Sequence, residues 1–174
     1  MTALVRMIER VTGSAGLLIA LVVFPLIMAS VYEVLARYIF NSPTIWAFEL
    51  GYMAMGVHGL IGSAFVLRER AHIRIDLFYL HLPERVKAII DLVGYLVLFM
   101  PVVCWVSFGL WEYWVEAYVS GEHSGQSAWN PIIWPFRLSF FLGFFLLALQ
   151  GLAEVLKCIE FLTGRRGHWD SSNG

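Results

Sequence analysis

Charge is what this sequence is short of. Only 14% of its 174 residues are Asp, Glu, Lys or Arg, while 59% are hydrophobic and 16% aromatic; soluble domains carry about 25% charged residues. The few charges are also bunched, leaving long stretches with none. That excludes an ordinary water-soluble domain and points to a polytopic membrane protein. Cysteine is scarce as well: the chain has two. Cys104 falls in the third apolar stretch and Cys158 at the inner end of the fourth, so membrane depth separates them too widely for a disulfide. A four-span thiol oxidase needs cysteine pairs at its outer loops, and they are missing. Also missing are a phosphate-cradling Gly-rich loop with a lysine, a closely spaced metal-ligand set, and a nucleophile with its base and acid on one surface. The apolar stretches hold no paired broken helices and no inverted repeat, the usual construction of a carrier site at the midplane. The sequence therefore reads as neither an enzyme nor a self-sufficient transporter, and no cofactor is expected.

What is present is long apolar runs. A transmembrane helix needs about 20 mainly apolar residues. Residues 11–32 are uncharged, 46–67 carry Glu49 in their first turn, 92–111 are uncharged, and 135–162 have an uncharged centre at 138–153. The predicted architecture is an all-α integral membrane protein in one domain, residues 1–174, with spans at about 11–36, 46–67, 86–114 and 133–162. Arg6 and Arg10 ahead of the first run resemble a signal peptide, but that run is too long for one and continues into Glu33 and Arg37, so it reads as a retained anchor. Of the twelve basic residues, only Arg37 and Arg137 fall on the side away from the termini. The positive-inside rule then places both termini and the middle loop in the cytoplasm. Trp111, Tyr113, Trp114, Tyr118, Trp129 and Trp134 form an aromatic belt on the other side, and Glu112, Glu116 and Glu122 make that face acidic.

An ionisable residue at the centre of a bilayer costs about 2.5 to 3.5 kcal/mol on insertion scales, so each one needs a reason. Glu33 and Arg37, four apart with the acid first, form a helical ion pair. Glu49 sits beside the interface at a helix N-terminus, where the helix dipole favours a negative charge; a substrate carboxylate of a small drug exporter is the competing reading. His58 lies fourteen residues before His72, the spacing of two axial haem ligands on one helix. The ordinary reading packs His58 at a helix contact on a small-residue stripe with Gly51, Ala54 and Gly62. In the fourth span Ser139, Gly143, Leu147, Gln150, Glu154 and Lys157 share a face that meets protein, with Phe141 and Phe145 pointing elsewhere. Pro25 and Pro101 sit mid-span as candidate kinks.

The stretch LRERAHIRID, residues 67–76, leaves the second span as a topological anchor. Ile75, Leu77, Phe78, Leu80 and Leu82 after it read as a short segment lying on the membrane surface, and Pro83 opens the third helix. With ARYIFNSPTIWAFEL at 36–50 and LPERVKAIIDL at 82–92, the chain resembles the small membrane subunit of tripartite ATP-independent periplasmic (TRAP) transporters, the DctQ-like family. The resemblance rests on Arg37, Tyr38, Phe40, Asn41, Trp46 and Glu49, then on His72, Arg74 and Asp76, and covers residues 11–164. Where the family often has an acidic pair in the second span, this chain has Phe48-Glu49.

The resemblance implies a non-catalytic scaffold subunit in a bacterial inner membrane. It would pack against a large permease subunit that moves an organic acid anion with sodium, served by a periplasmic substrate-binding protein. Arg37, Asn41, Glu49, Arg70, His72, Arg74 and Asp76 then take fold and interface roles, and the acidic aromatic loop becomes the surface for the binding protein. The alternative is a membrane-anchor subunit of a redox enzyme, with His58 and His72 holding haem.

Overall fold

A computed structural model describes residues 2–69 and 82–164. Four long helices account for nearly all of them: α1 (Thr2–Tyr38), α2 (Ala47–Arg68), α3 (Glu84–Ser120) and α4 (Trp134–Leu162). Each is long and apolar enough to cross a membrane. The membrane-surface segment expected after α2, and with it Arg70, His72, Arg74 and Asp76, lies outside the described residues.

Two helices outrun their apolar runs. Helix α1 begins well before residue 11, because Val5, Ile8 and Thr12 are buried and Val5 and Ile8 pack with Leu149, Ala153 and Leu156 of α4. Helix α3 continues through Trp111 to Ser120 and stops at Gly121, whose left-handed backbone (φ 63°) ends the helix without a Cβ penalty. The length of apolar sequence measures the lipid to be crossed, and helical hydrogen bonding continues past it wherever side chains still find partners.

Proline acts differently at its two positions. Pro25 lies within an α-helix that runs unbroken from Thr2 to Tyr38. Pro101 follows a π-helical turn, Gly94–Phe99, that joins α-helical Glu84–Val93 to Met100–Ser120. Proline has no N–H to give the carbonyl four residues back and crowds it; that carbonyl belongs to Val97, inside the π-turn. The widened turn lets the helix pass the proline without breaking.

Helix α4 is the centre of the packing. Helices α2 and α3 lie against it, α1 packs along α2, and the first turns of α1 reach α4. Close approach depends on glycine: a Cβ on Gly143 would stand 2.9 Å from Leu60 Cβ of α2, and one on Gly151 would meet the Phe99 ring of α3 at 2.5 Å. Rings fasten the second half of α3 to α4, Trp111 on Phe141 at 5.2 Å and Tyr118 on Trp134 at 5.5 Å. The Phe141 side of α4 therefore meets protein too, which its place off the polar stripe did not announce. The largest fully buried side chains include Gln150, Glu49 and Glu154, while Leu17, Phe24, Leu98 and Trp105 are more than 60% exposed. This inversion is the arrangement suited to lipid, where apolar side chains gain little by leaving the solvent and polar ones gain from each other.

Candidate functional site

Polar side chains collect at both ends of the helices. At the end carrying the chain termini, Lys157 of α4 sits 2.6 Å from Glu9 Oε1 of α1 and donates to Glu154 Oε1 at 2.6 Å. Gln150 Nε2 donates to the same Glu154 oxygen at 3.1 Å. Glu154 and Gln150 are fully buried and Lys157 nearly so. One ammonium thus serves carboxylates on two helices, a geometry that ties α1 to α4. The shared face of Gln150, Glu154 and Lys157 was legible from helical spacing; Glu9 was not, since nothing local says that α1 meets α4 there.

At the opposite end, both interhelical connections are pinned by side chains. Glu33 pairs with Arg37 at 2.5 Å, and its second oxygen accepts from the Thr44 N–H at 2.9 Å and from the Thr44 hydroxyl. The pair expected within α1 therefore also holds the turn to α2. Asn41 occupies the left-handed region in that turn (φ 48°), a backbone that Asn tolerates better than most residues. Arg137, treated in the sequence only as a marker of sidedness, is buried. Its guanidinium lies 3.7 Å from the Tyr113 ring centroid, and it donates to Glu122 Oε1 at 2.6 Å and to the Tyr113 carbonyl at 3.4 Å. All three acids of the expected trio are exposed, and Glu122 is the one ion-paired with Arg137.

Glu49 is fully buried in the first turn of α2. Its Oε2 accepts from the Ser124 hydroxyl at 2.7 Å, across 75 positions of sequence, and its Oε1 is buried without a hydrogen-bond partner. Ser124 belongs to the 121–133 loop, which folds back on itself through the His123–Ile132 bridge and donates from Ser127 to the Ile45 carbonyl. A cavity of about 370 Å³ opens beside this contact, lined by Phe48, Tyr52, Ser124, Gln126, Ile133 and Phe136.

The structure does not bring the expected residues into one site. Arg37 and Asn41 belong to the α1–α2 turn, and Glu49 to the contact between α2 and the long loop. His58 is half-buried with no hydrogen bond to its buried Nδ1. Two glycines of the stripe it shares are open, since a Cβ on Gly51 or Gly62 would meet nothing within 4 Å, whereas Gly56 faces Phe136 and Phe140. The α2–α4 contact therefore runs through Gly56 and Leu60, on another side of α2 from the stripe. Among the described residues, no three His, Cys, Asp or Glu side chains are grouped to hold a metal.

The model of one family, described as the DctQ component of tripartite ATP-independent periplasmic transporters, matches residues 26–161, well over half of the chain. The protein belongs to the DctQ family. This TRAP transporter component is also 27% identical over 78 residues to the sialic acid TRAP transporter permease protein SiaT of Haemophilus influenzae (strain 86-028NP). That segment is 45% of the present chain and only 13% of SiaT. No solved structure matches the DctQ chain. The matched family region takes in the last third of α1, the Glu33–Arg37–Thr44 clip, all of α2 with Glu49, Ser124, Arg137, and Gln150, Glu154 and Lys157 of α4. It leaves out Glu9, so the cross-helix partner of Lys157 lies outside the matched region.

Proposed function

We propose that this DctQ protein is the small scaffold subunit of a sodium-coupled TRAP transporter that imports an organic acid anion. In this reading both termini face the cytoplasm of a bacterial inner membrane, and the chain packs against a large permease subunit. A periplasmic substrate-binding protein meets the opposite end. The observation that carries it is how the polar groups inside the helices are used. Lys157, Glu9, Glu154 and Gln150 are engaged with one another, Arg137 with Glu122 and Tyr113, and the cavity beside Glu49 lies at the loop end of the helices. That is a fold organised to hold helices in place. The SiaT match supports a large partner, since a similar segment there forms a small part of a much longer permease. The open Gly51–Gly62 side of α2 and the wide apolar exposure leave room for both lipid and such a partner.

The test is gentle affinity purification from the native membrane, with co-purifying proteins identified by mass spectrometry and an absorbance spectrum recorded on the same sample. A stoichiometric, much larger polytopic permease and no haem band is the expected result. Recovery of the chain alone, or with haem and a redox subunit, overturns the scaffold reading. Uptake by proteoliposomes holding both membrane subunits, with the binding protein outside, should then require an inward sodium gradient.

A further inference from the structure

We infer that the cavity beside Glu49 binds the ammonium headgroup of an ethanolamine phospholipid from the leaflet at the loop end of the helices. The inference starts from an electrostatic imbalance. Glu49 is fully buried, its Oε1 has no hydrogen-bond partner, and among the described residues no basic side chain is ion-paired with it. A buried carboxylate with one hydroxyl donor is short of positive charge, and its position in the first turn of α2 supplies only part of it.

Ser124 connects this carboxylate to the cavity. Ser124 lines the cavity, and its hydroxyl gives its proton to Glu49 Oε2 at 2.7 Å. With that proton committed, one oxygen lone pair takes a long hydrogen bond from the Gln126 N–H at 3.4 Å and the other is left for a further donor, a role that donation to the carboxylate strengthens. A ligand N–H bound to Ser124 Oγ is therefore coupled to the negative charge behind it without having to reach the carboxylate itself. The other walls suit a cation as well. Phe48, Tyr52 and Phe136 pack edge to face in sequence, Phe48 on Tyr52 and Tyr52 on Phe136, each pair at 5.8 Å, and aromatic rings attract ammonium groups.

The ligand's class follows from the mixture of walls. A primary ammonium has three N–H donors to place, and Ser124, Gln126 and Tyr52 provide acceptors that a quaternary ammonium could not use. A freely soluble amine would gain nothing from the apolar surroundings. Phe48 is 65% exposed and Ile45 54% exposed at this end of the helices, positions suited to the glycerol and acyl part of a lipid whose head enters the cavity.

The test is native mass spectrometry of the full chain in mild detergent, titrated separately with phosphatidylethanolamine, phosphatidylglycerol and free ethanolamine. Phosphatidylethanolamine should be retained about tenfold more strongly than phosphatidylglycerol, the scale of one desolvated cation–aromatic contact. Glu49→Gln and Phe48→Ala should each remove the preference, while Glu112→Gln, on the exposed face of α3, should keep it. Equal retention of the two lipids overturns the inference, and so does a preference that survives both cavity substitutions. Free ethanolamine binding as tightly as the lipid overturns the choice of lipid. Should Glu49→Gln fail to fold, Phe48→Ala decides, because its ring is mostly exposed and removing it leaves no charge unpaired.

Discussion

Lys157 and Glu9 stand 2.6 Å apart across the α1–α4 contact, with Glu154 at the same distance on the other side of the ammonium. Breaking a buried ionic cluster from one side costs more than the cluster contributes as a whole, because a charge is left without its partner. Lys157→Met should therefore destabilise the chain by about 3 to 5 kcal/mol, read as a lower midpoint of thermal unfolding in detergent. Adding Glu154→Gln should restore part of the loss, since a neutral amide needs no ammonium. A single variant that melts with the wild type would show that the cluster does not hold α1.

Arg137 is fixed by its shape as well as its charge. Lysine cannot both lie flat on Tyr113 and reach Glu122 and the Tyr113 carbonyl. Arg137→Lys should cost about 1 to 3 kcal/mol, the scale of buried groups left unpaired. It should also speed proteolytic cleavage within residues 121–133, since Glu122 then loses its anchor. Cleavage at the wild-type rate would count against that anchoring.

Two glycines in neighbouring helices should respond with opposite signs. A Cβ on Gly143 meets Leu60 at 2.9 Å, so Gly143→Ala must push α2 from α4 and should cost about 1 to 3 kcal/mol. Gly62 has open space, and Gly62→Ala should stabilise the isolated chain by about 0.5 to 1 kcal/mol through backbone entropy alone. The same Gly62→Ala protein should recover less of the large permease on co-purification if that side of α2 meets it. Equal shifts in both isolated variants would contradict the packing described.

The π-turn before Pro101 sets the rotation of the α3 segment on its terminal side. An i→i+5 turn holds one residue more than an α-turn, and one residue is about 100° of rotation. Ala88 packs on Cys158 as the chain stands, so an Ala88→Cys chain should form an oxidative cross-link to Cys158. Adding Pro101→Ala should abolish it, because the relaxed helix turns residue 88 away. Persistence of the cross-link would mean that Pro101 does not maintain the turn.

The sequence by itself determined that the protein is helical and built for lipid, because the scarcity and bunching of charge leave no other solvent for runs of this length. It also determined the pairs that one helix makes with itself, Glu33 with Arg37 and the face of Gln150, Glu154 and Lys157, since helical spacing alone sets them. Contacts between helices follow no local rule, and only the tertiary structure decided them. Glu9 became the partner of Lys157 because α1 starts early enough to reach α4, and Arg137 became a buried clamp because α3 runs on past the apolar stretch to bring Tyr113 beneath it. Glu49, readable as an acid at a helix end, acquired Ser124 from a loop 75 residues away. The small-residue stripe of α2 shows the same limit from the other side: spacing located the stripe, but which helices lie close enough to use glycine placed the contact with α4 at Gly56 and left Gly51 and Gly62 open.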